Sequence, residues 1–78
     1  MPYFICTKTL QTKPSNPLIR KLARQVREID PDVTLVSFRE PGTGKRRIWA
    51  ERPDDGMRDH PGRRGLDNRI RALINSTL

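Results

Sequence analysis

Cysteine is almost missing from this chain of 78 residues. Cys6 stands alone, so no internal disulfide can form and the fold must be held by burial. Histidine is as scarce, with His60 the one example. A Cys–His nucleophile pair would have to join Cys6 to His60, and no spacing brings the two together; two soft ligands are also too few for a closed metal site. Aromatic residues make up 5% of the chain. No apolar run approaches the roughly 18 residues of a membrane span. The opening Met1-Pro2-Tyr3-Phe4-Ile5-Cys6 has neither a basic leader segment nor a long apolar stretch, so no secretory signal is expected, and a reducing, cytoplasmic setting is. In that setting the acceptor pattern Asn75-Ser76-Thr77 is idle. These gaps leave no catalytic set, no metal site and no cofactor motif, so the chain is not expected to be an enzyme.

Length sets the next limit. A chain of this size buries only about 60% of its unfolded surface, which suffices for one thin-cored domain and excludes a dinucleotide-binding domain or a barrel enzyme. Leu, Ile, Val and Phe supply 18 of the 78 residues, just above the roughly 20% below which charged chains tend to stay unfolded.

Acidic charge is sparse and basic charge abundant: 9 Asp+Glu face 16 Lys+Arg, for a net charge of +7. Twelve of the sixteen are Arg. A guanidinium grips phosphate oxygens as a planar fork and stacks on flat rings, which an ammonium does not. The charge is uneven. Residues 1–30 carry net +4, residues 31–55 net zero, and residues 56–78 net +3.

The hydrophobic pattern places the elements. Residues 3–10 are rich in aromatic and β-branched types and read as a strand. Phe4, Cys6, Lys8 and Leu10 share one face by alternation, and Tyr3, Ile5, Thr7 and Thr9 the other; apolar residues on both faces point to a central strand. Asn16-Pro17 is a helix start, with Asn as cap and Pro in the first turn. Leu18, Ile19, Leu22, Ala23, Val26 and Ile29 recur at helical spacing over 17–29, and Pro31 stops the helix. Residues 33–39 and 46–51 read as strands around the turn cluster Pro41-Gly42-Thr43-Gly44, an antiparallel hairpin. Residues 53–65 lack apolar periodicity and read as an irregular loop. A second helix follows over 66–76, with Leu66, Ile70, Leu73 and Ile74 on its stripe. The chain is therefore expected to be one α+β domain of order β-α-β-β-α. It should have a three-stranded mixed sheet, the first two strands parallel across a helical crossover, and both helices packed on one face.

Short motifs add little chemistry. Gly42-Thr43-Gly44-Lys45 is not a phosphate loop: Arg39 stands at the upstream glycine position, Arg46 follows the lysine, and a strand rather than a helix comes next. His60, beside Asp59 and Arg63, could serve as a general base but has no partner residue. The start Met1-Pro2-Tyr3, followed by a strand and a helix, resembles the opening of the small tautomerases; that resemblance implies a free Pro2 amine, which Met1 would block. The element order is similar to that of the DNA-damage-inducible DinI family of recombinase regulators, which implies a fold only. The last helix of that family is acidic, whereas here it carries Arg69 and Arg71 against Asp67.

The basic clusters carry the functional reading. Arg20, Arg24 and Arg27 form a stripe about 10 Å long on the first helix. Lys45, Arg46 and Arg47 sit at the hairpin, and Arg63 and Arg64, with Arg58, on the glycine-containing loop. Trp49, Tyr3 and Phe38 offer stacking surfaces, though Phe38 and Trp49 are expected in the core. The chain reads as a small nucleic-acid-binding protein acting through arginine–phosphate contacts, monomeric or a small homo-oligomer. The alternative is a non-enzymatic regulatory or inhibitory protein that docks on a protein or nucleoprotein complex.

Overall fold

The computed structural model describes residues 2–78; Met1, which stands ahead of Pro2 in the tautomerase-like opening, lies outside them. Five elements follow in order: β1 (Pro2–Leu10), α1 (Asn16–Ile29), β2 (Thr34–Arg39), β3 (Arg46–Pro53) and α2 (Pro61–Thr77). The cap of α1 falls one residue earlier than Asn16. The hydroxyl of Ser15 accepts from the Leu18 amide at 3.3 Å, and Asn16 and Pro17 form the first turn. At the other end the Asp30 amide still donates to the Val26 carbonyl at 3.0 Å, and Pro31 prevents a further turn.

The three strands run in the order β1-β3-β2, and both pairings are antiparallel. The expected mixed sheet with β1 beside β2 is thus corrected to an antiparallel sheet centred on β3, and β1 is an edge strand. Strands β1 and β2 do run the same way, but β3 lies between them. A helical crossover is long enough to pass over one strand. β3 also gains most from the centre, since Ile48 and Ala50 are buried on one side while Trp49 is half-buried on the other.

The face assignment of β1 is corrected too. The register slips between Phe4 and Cys6, so that Phe4 opposes Glu51 and Cys6 opposes Ala50 with Ile5 between them. This bulge places one extra residue on β1 and shifts its alternation by one. Tyr3 and Ile5 point inward before it, and Cys6 packs against the same core after it. Phe4, Thr7 and Thr9 are exposed. Apolar residues on both faces at the start of β1 therefore do not mark a central position: Cys6 turns to the core through the shift, and Phe4 stays exposed on the opposite face.

Both helices contribute to a single core. Leu22 and Val26 of α1 and Ile70 and Ile74 of α2 join Tyr3, Ile5, Val33 and Ala50, and Leu22 and Ile70 are completely buried. α2 begins at Pro61, five residues before the expected start at 66. His60 caps it, its Nδ1 accepting from the Gly62 amide at 3.2 Å, and Pro61 occupies the first turn. The signal is the same X-Pro start as in α1, hidden by two glycines that the packed helix tolerates. The irregular loop therefore shrinks to 54–60.

Candidate nucleic-acid interface

The basic residues singled out by sequence fall on different sides of the molecule. Arg20, Arg24 and Arg27 are exposed on α1. That helix turns Leu22 and Val26 to the core, so at 3.6 residues per turn the three arginines point away from the sheet. None of them has an ion pair among the described residues. Arg46 and Arg47 are neighbours on β3 and so point to opposite faces. Arg46 is half-buried on the helix side, whereas Arg47 is exposed on the other side and pairs with Glu40. Lys45 is half-buried at the turn, where its carbonyl accepts from the Glu40 amide at 2.9 Å. Arg63 is tied down: its two terminal nitrogens donate to the two oxygens of Asp55 at 3.2 and 3.1 Å. This fork holds the Asp55 carboxyl below the usual carboxylate range. Arg64 is exposed and carries no ion pair among the described residues. The sequence clusters do not merge into one basic footprint.

What the structure does bring together is a row of aromatic side chains. The face of the sheet opposite the helices carries Phe4 from β1, Trp49 from β3 and Phe38 from β2. Phe4 and Phe38 are 58% and 48% exposed, and Trp49 is half-buried between them. Ring centroids lie 5.6 Å apart for Phe4–Trp49 and 6.3 Å for Phe38–Trp49, both pairs tilted. Trp49 opposes Thr7 on one side and Val36 on the other. The aromatics are thus diagonal neighbours, a spacing that large rings can bridge. The expectation that Phe38 and Trp49 belong to the core is corrected; Tyr3, offered as a stacking surface, is the buried one. The Trp49 indole N–H donates to Glu51 at 3.2 Å, which fixes the ring plane. A shallow groove of about 210 Å³ runs between Phe4, Thr7, Arg47 and Trp49.

Beyond the β1 edge lies a second concavity, of about 270 Å³. Tyr3 and Phe4 form its strand side, Arg58 and Asp59 come from the loop, and Arg64, Asp67, Asn68 and Arg71 from α2. Phe4 lines both this cavity and the groove. Arg71 is fixed in place: its Nε donates to the carbonyl of Ile5, the bulge residue, at 2.8 Å, and one terminal nitrogen donates to Asn68 at 2.8 Å. Arg58 lies over the Tyr3 ring, 4.8 Å from its centroid, a cation–π contact.

A buried ion network anchors this edge. Arg52, fully buried on β3, donates to Asp30 at the end of α1 and, at 2.7 Å, to Asp67 on α2. Tyr3 completes it by donating its hydroxyl to the other Asp67 oxygen at 3.1 Å. The Arg52 Nε has no partner among the described residues. Burial pushes the Asp30 carboxyl up, but the Asp32 amide and the Arg52 guanidinium outweigh it and hold the group below the usual range. Burial, reinforced by the Asp67 charge, pushes the Tyr3 phenol up. So the hydroxyl stays protonated and keeps donating at neutral pH. The network joins β1, β3 and both helices, and it occupies both oxygens of Asp67 with hydrogen bonds.

No group of three or more His, Cys, Asp or Glu is arranged to hold a metal among the described residues, and no helix among them is long and apolar enough to cross a membrane. Comparison of the chain with protein-family models, with curated proteins and with solved structures gave no match.

Proposed function

We propose that this protein binds single-stranded nucleic acid without catalysing a reaction, and that the open sheet face is where unpaired bases stack. One observation carries the reading: three aromatic side chains from three different strands lie in a connected row on an uncovered sheet face, in a chain of net charge +7. Exposing Phe4 and Phe38 gives up the burial energy that a core position would supply. A flat base recovers it, because every base has an apolar face and stacking on an aromatic ring contributes about 1–3 kcal/mol per base. The arginines at the β1 edge, Arg58 and Arg64 among them, provide the positive field for the backbone, while Arg47 beside the groove is paired with Glu40. A duplex offers no free base faces and fits this surface less well. The lone thiol Cys6 suits a reducing, cytoplasmic setting.

The sequence holds one tryptophan, and it stands in the middle of the row. Its emission therefore reads the proposed site directly. Short single-stranded DNA or RNA at about 50 mM salt should quench Trp49, with the binding constant falling steeply as salt rises. A duplex of equal length should quench it much less. Unchanged emission with every oligonucleotide at low salt would remove the proposal.

The exposed stripe Arg20, Arg24 and Arg27 supports a second reading. It lies on the far side from the aromatic row and cannot join the same short strand. A basic helix face with unpaired arginines fits an acidic protein surface or the backbone of a nucleoprotein complex, as a regulatory or inhibitory protein would use it. Capture of a protein partner that survives nuclease treatment and is lost in Arg20→Glu/Arg24→Glu would favour it.

A further inference from the structure

We propose that the cavity beyond the β1 edge, ringed by Arg58, Arg64 and Arg71, receives the terminal phosphate of a nucleic-acid strand whose last base lies on Phe4. This rests on the sheet-face reading and adds to it a definite end for the strand.

Position comes first. The aromatic row runs from Phe38 on β2 through Trp49 on β3 to Phe4 on β1. Since β1 is the sheet edge, the row stops at Phe4, and the next feature outward is the cavity that Phe4 also lines. The loop and α2 close its far side. A strand laid along the row would thus bring its end to this cavity.

The lining carries the matching chemistry. Three arginines line one cavity of about 270 Å³, which is larger than a phosphate needs and leaves room for part of the sugar. Arg58 and Arg64 have no ion pair among the described residues, so their donors are free. Arg71 is held by the Ile5 carbonyl and Asn68 and still has a terminal nitrogen to offer. Two acids also line the cavity. Asp67 is engaged by Arg52 and Tyr3, but Arg52 is shared with Asp30, so three arginines face two acids and the lining keeps a net positive charge. A surface with that excess favours the anion of highest charge. A terminal phosphate carries close to two negative charges at neutral pH, against one on an internal diester, and offers three oxygens to guanidinium donors.

The bulge links sequence to this site. Ile5 has no partner on β3, and its carbonyl is the one that anchors Arg71. Tyr3, under Arg58, and Phe4, on the open face, stand just before the slip and follow the plain alternation of the strand.

The test compares four hexanucleotides of one sequence by Trp49 quenching: hydroxyl at both ends, phosphate at the 5′ end only, phosphate at the 3′ end only, and phosphate at both. One end should tighten binding at least about ten-fold, the equivalent of one strong charge-assisted hydrogen bond, and the other end should not. Which arm gains identifies the strand direction. In the Arg58→Gln/Arg64→Gln variant the ratio of phosphorylated to unphosphorylated affinity should collapse to about one. Both side chains are exposed and outside the core, so the variant keeps its fold, which its circular dichroism would verify. Equal binding of all four oligonucleotides, or a phosphate preference that survives in the double variant, overturns the phosphate site while the persisting quench leaves the sheet-face reading intact. No quench by any of the four overturns both.

Discussion

The two faces of β3 invert the usual division of labour. Toward the helices the strand sends Ile48, Ala50 and the charged Arg52; toward solvent it sends Arg47, Trp49 and Glu51, with Phe4 and Phe38 on either side. So an arginine is fully buried while two phenylalanines are about half exposed. The inward arginine is held in place by Asp30 and Asp67, as a buried charge must be. Of the outward aromatics, Trp49 has one hydrogen bond, to Glu51, and Phe4 and Phe38 meet only its ring among the aromatic contacts. One face is organised to specify the fold, and the other has surplus apolar area that the fold does not use. The difference separates residues that hold the molecule together from residues available to a ligand, and mutations on each side should have opposite signatures.

The largest effect should come from the inward face. Arg52→Met keeps much of the side-chain volume but leaves Asp30 and Asp67 buried without their cation. Breaking a buried pair in this way costs about 3–5 kcal/mol, a large share of what so small a domain has. Urea unfolding followed by circular dichroism should show the midpoint lowered severely or a chain unfolded without denaturant. A midpoint near that of the wild type would mean that the network is dispensable and that the inward face owes its order to Leu22, Ile48 and Ile70 alone.

Acid should weaken the same network. The Asp30 carboxyl is held below its ordinary value in the folded chain. A group with a depressed folded pKa adds stability that is fully present above its unfolded value, near 3.9, and is lost as pH falls through the folded one. The urea midpoint should therefore drop as pH is taken from about 5 to below 4. Asp30→Asn, less stable at pH 7 than the wild type, should lose less over that range. Parallel pH profiles for the two proteins would show that the acid sensitivity arises elsewhere.

Much of the fold was legible in the residues. The apolar period of α1, its Pro17 start and Pro31 stop, and the hairpin turn at Pro41–Gly44 follow from local chemistry. The strand order was not legible, because a helical crossover allows β1 either to pair with β2 or to leave a gap for β3. Nor was the bulge, which depends on the fit of β1 to β3 and shifts the faces of everything after Ile5. Part of the site could have been read from β3 itself. Arg47 and Glu51 flank Trp49 at period two, which marks that side as the wetter face, while Ile48 and Ala50 mark the other as core and carry Arg52 with them. Asp67 falls on the buried stripe of Ile70 and Ile74, an acid out of place that calls for a buried cation. The cavity at the β1 edge joins Tyr3 and Phe4 to residues some sixty positions later, a juxtaposition no local pattern encodes.

The smallest effect on stability should belong to Phe38, and there the two faces separate most clearly. Its ring touches Trp49 at the open face but is 48% exposed, so Phe38→Ala gives up limited burial and no hydrogen bond. Substitutions away from core, cap and buried charge usually fall within about 0.5 kcal/mol; the lost aromatic contact could bring this one to about 1 kcal/mol. The urea midpoint should move little. Binding should respond differently, because one stacked base at about 1–3 kcal/mol corresponds to a loss of roughly five-fold to more than a hundred-fold in affinity for a single strand, read by the quench of Trp49. Arg52→Met reverses the pattern, with a large loss of stability and no direct contact with the strand. If Phe38→Ala instead destabilises the chain as strongly as Arg52→Met while sparing affinity, the aromatic row is part of the scaffold, and the open face of the sheet is not where this protein meets its partner.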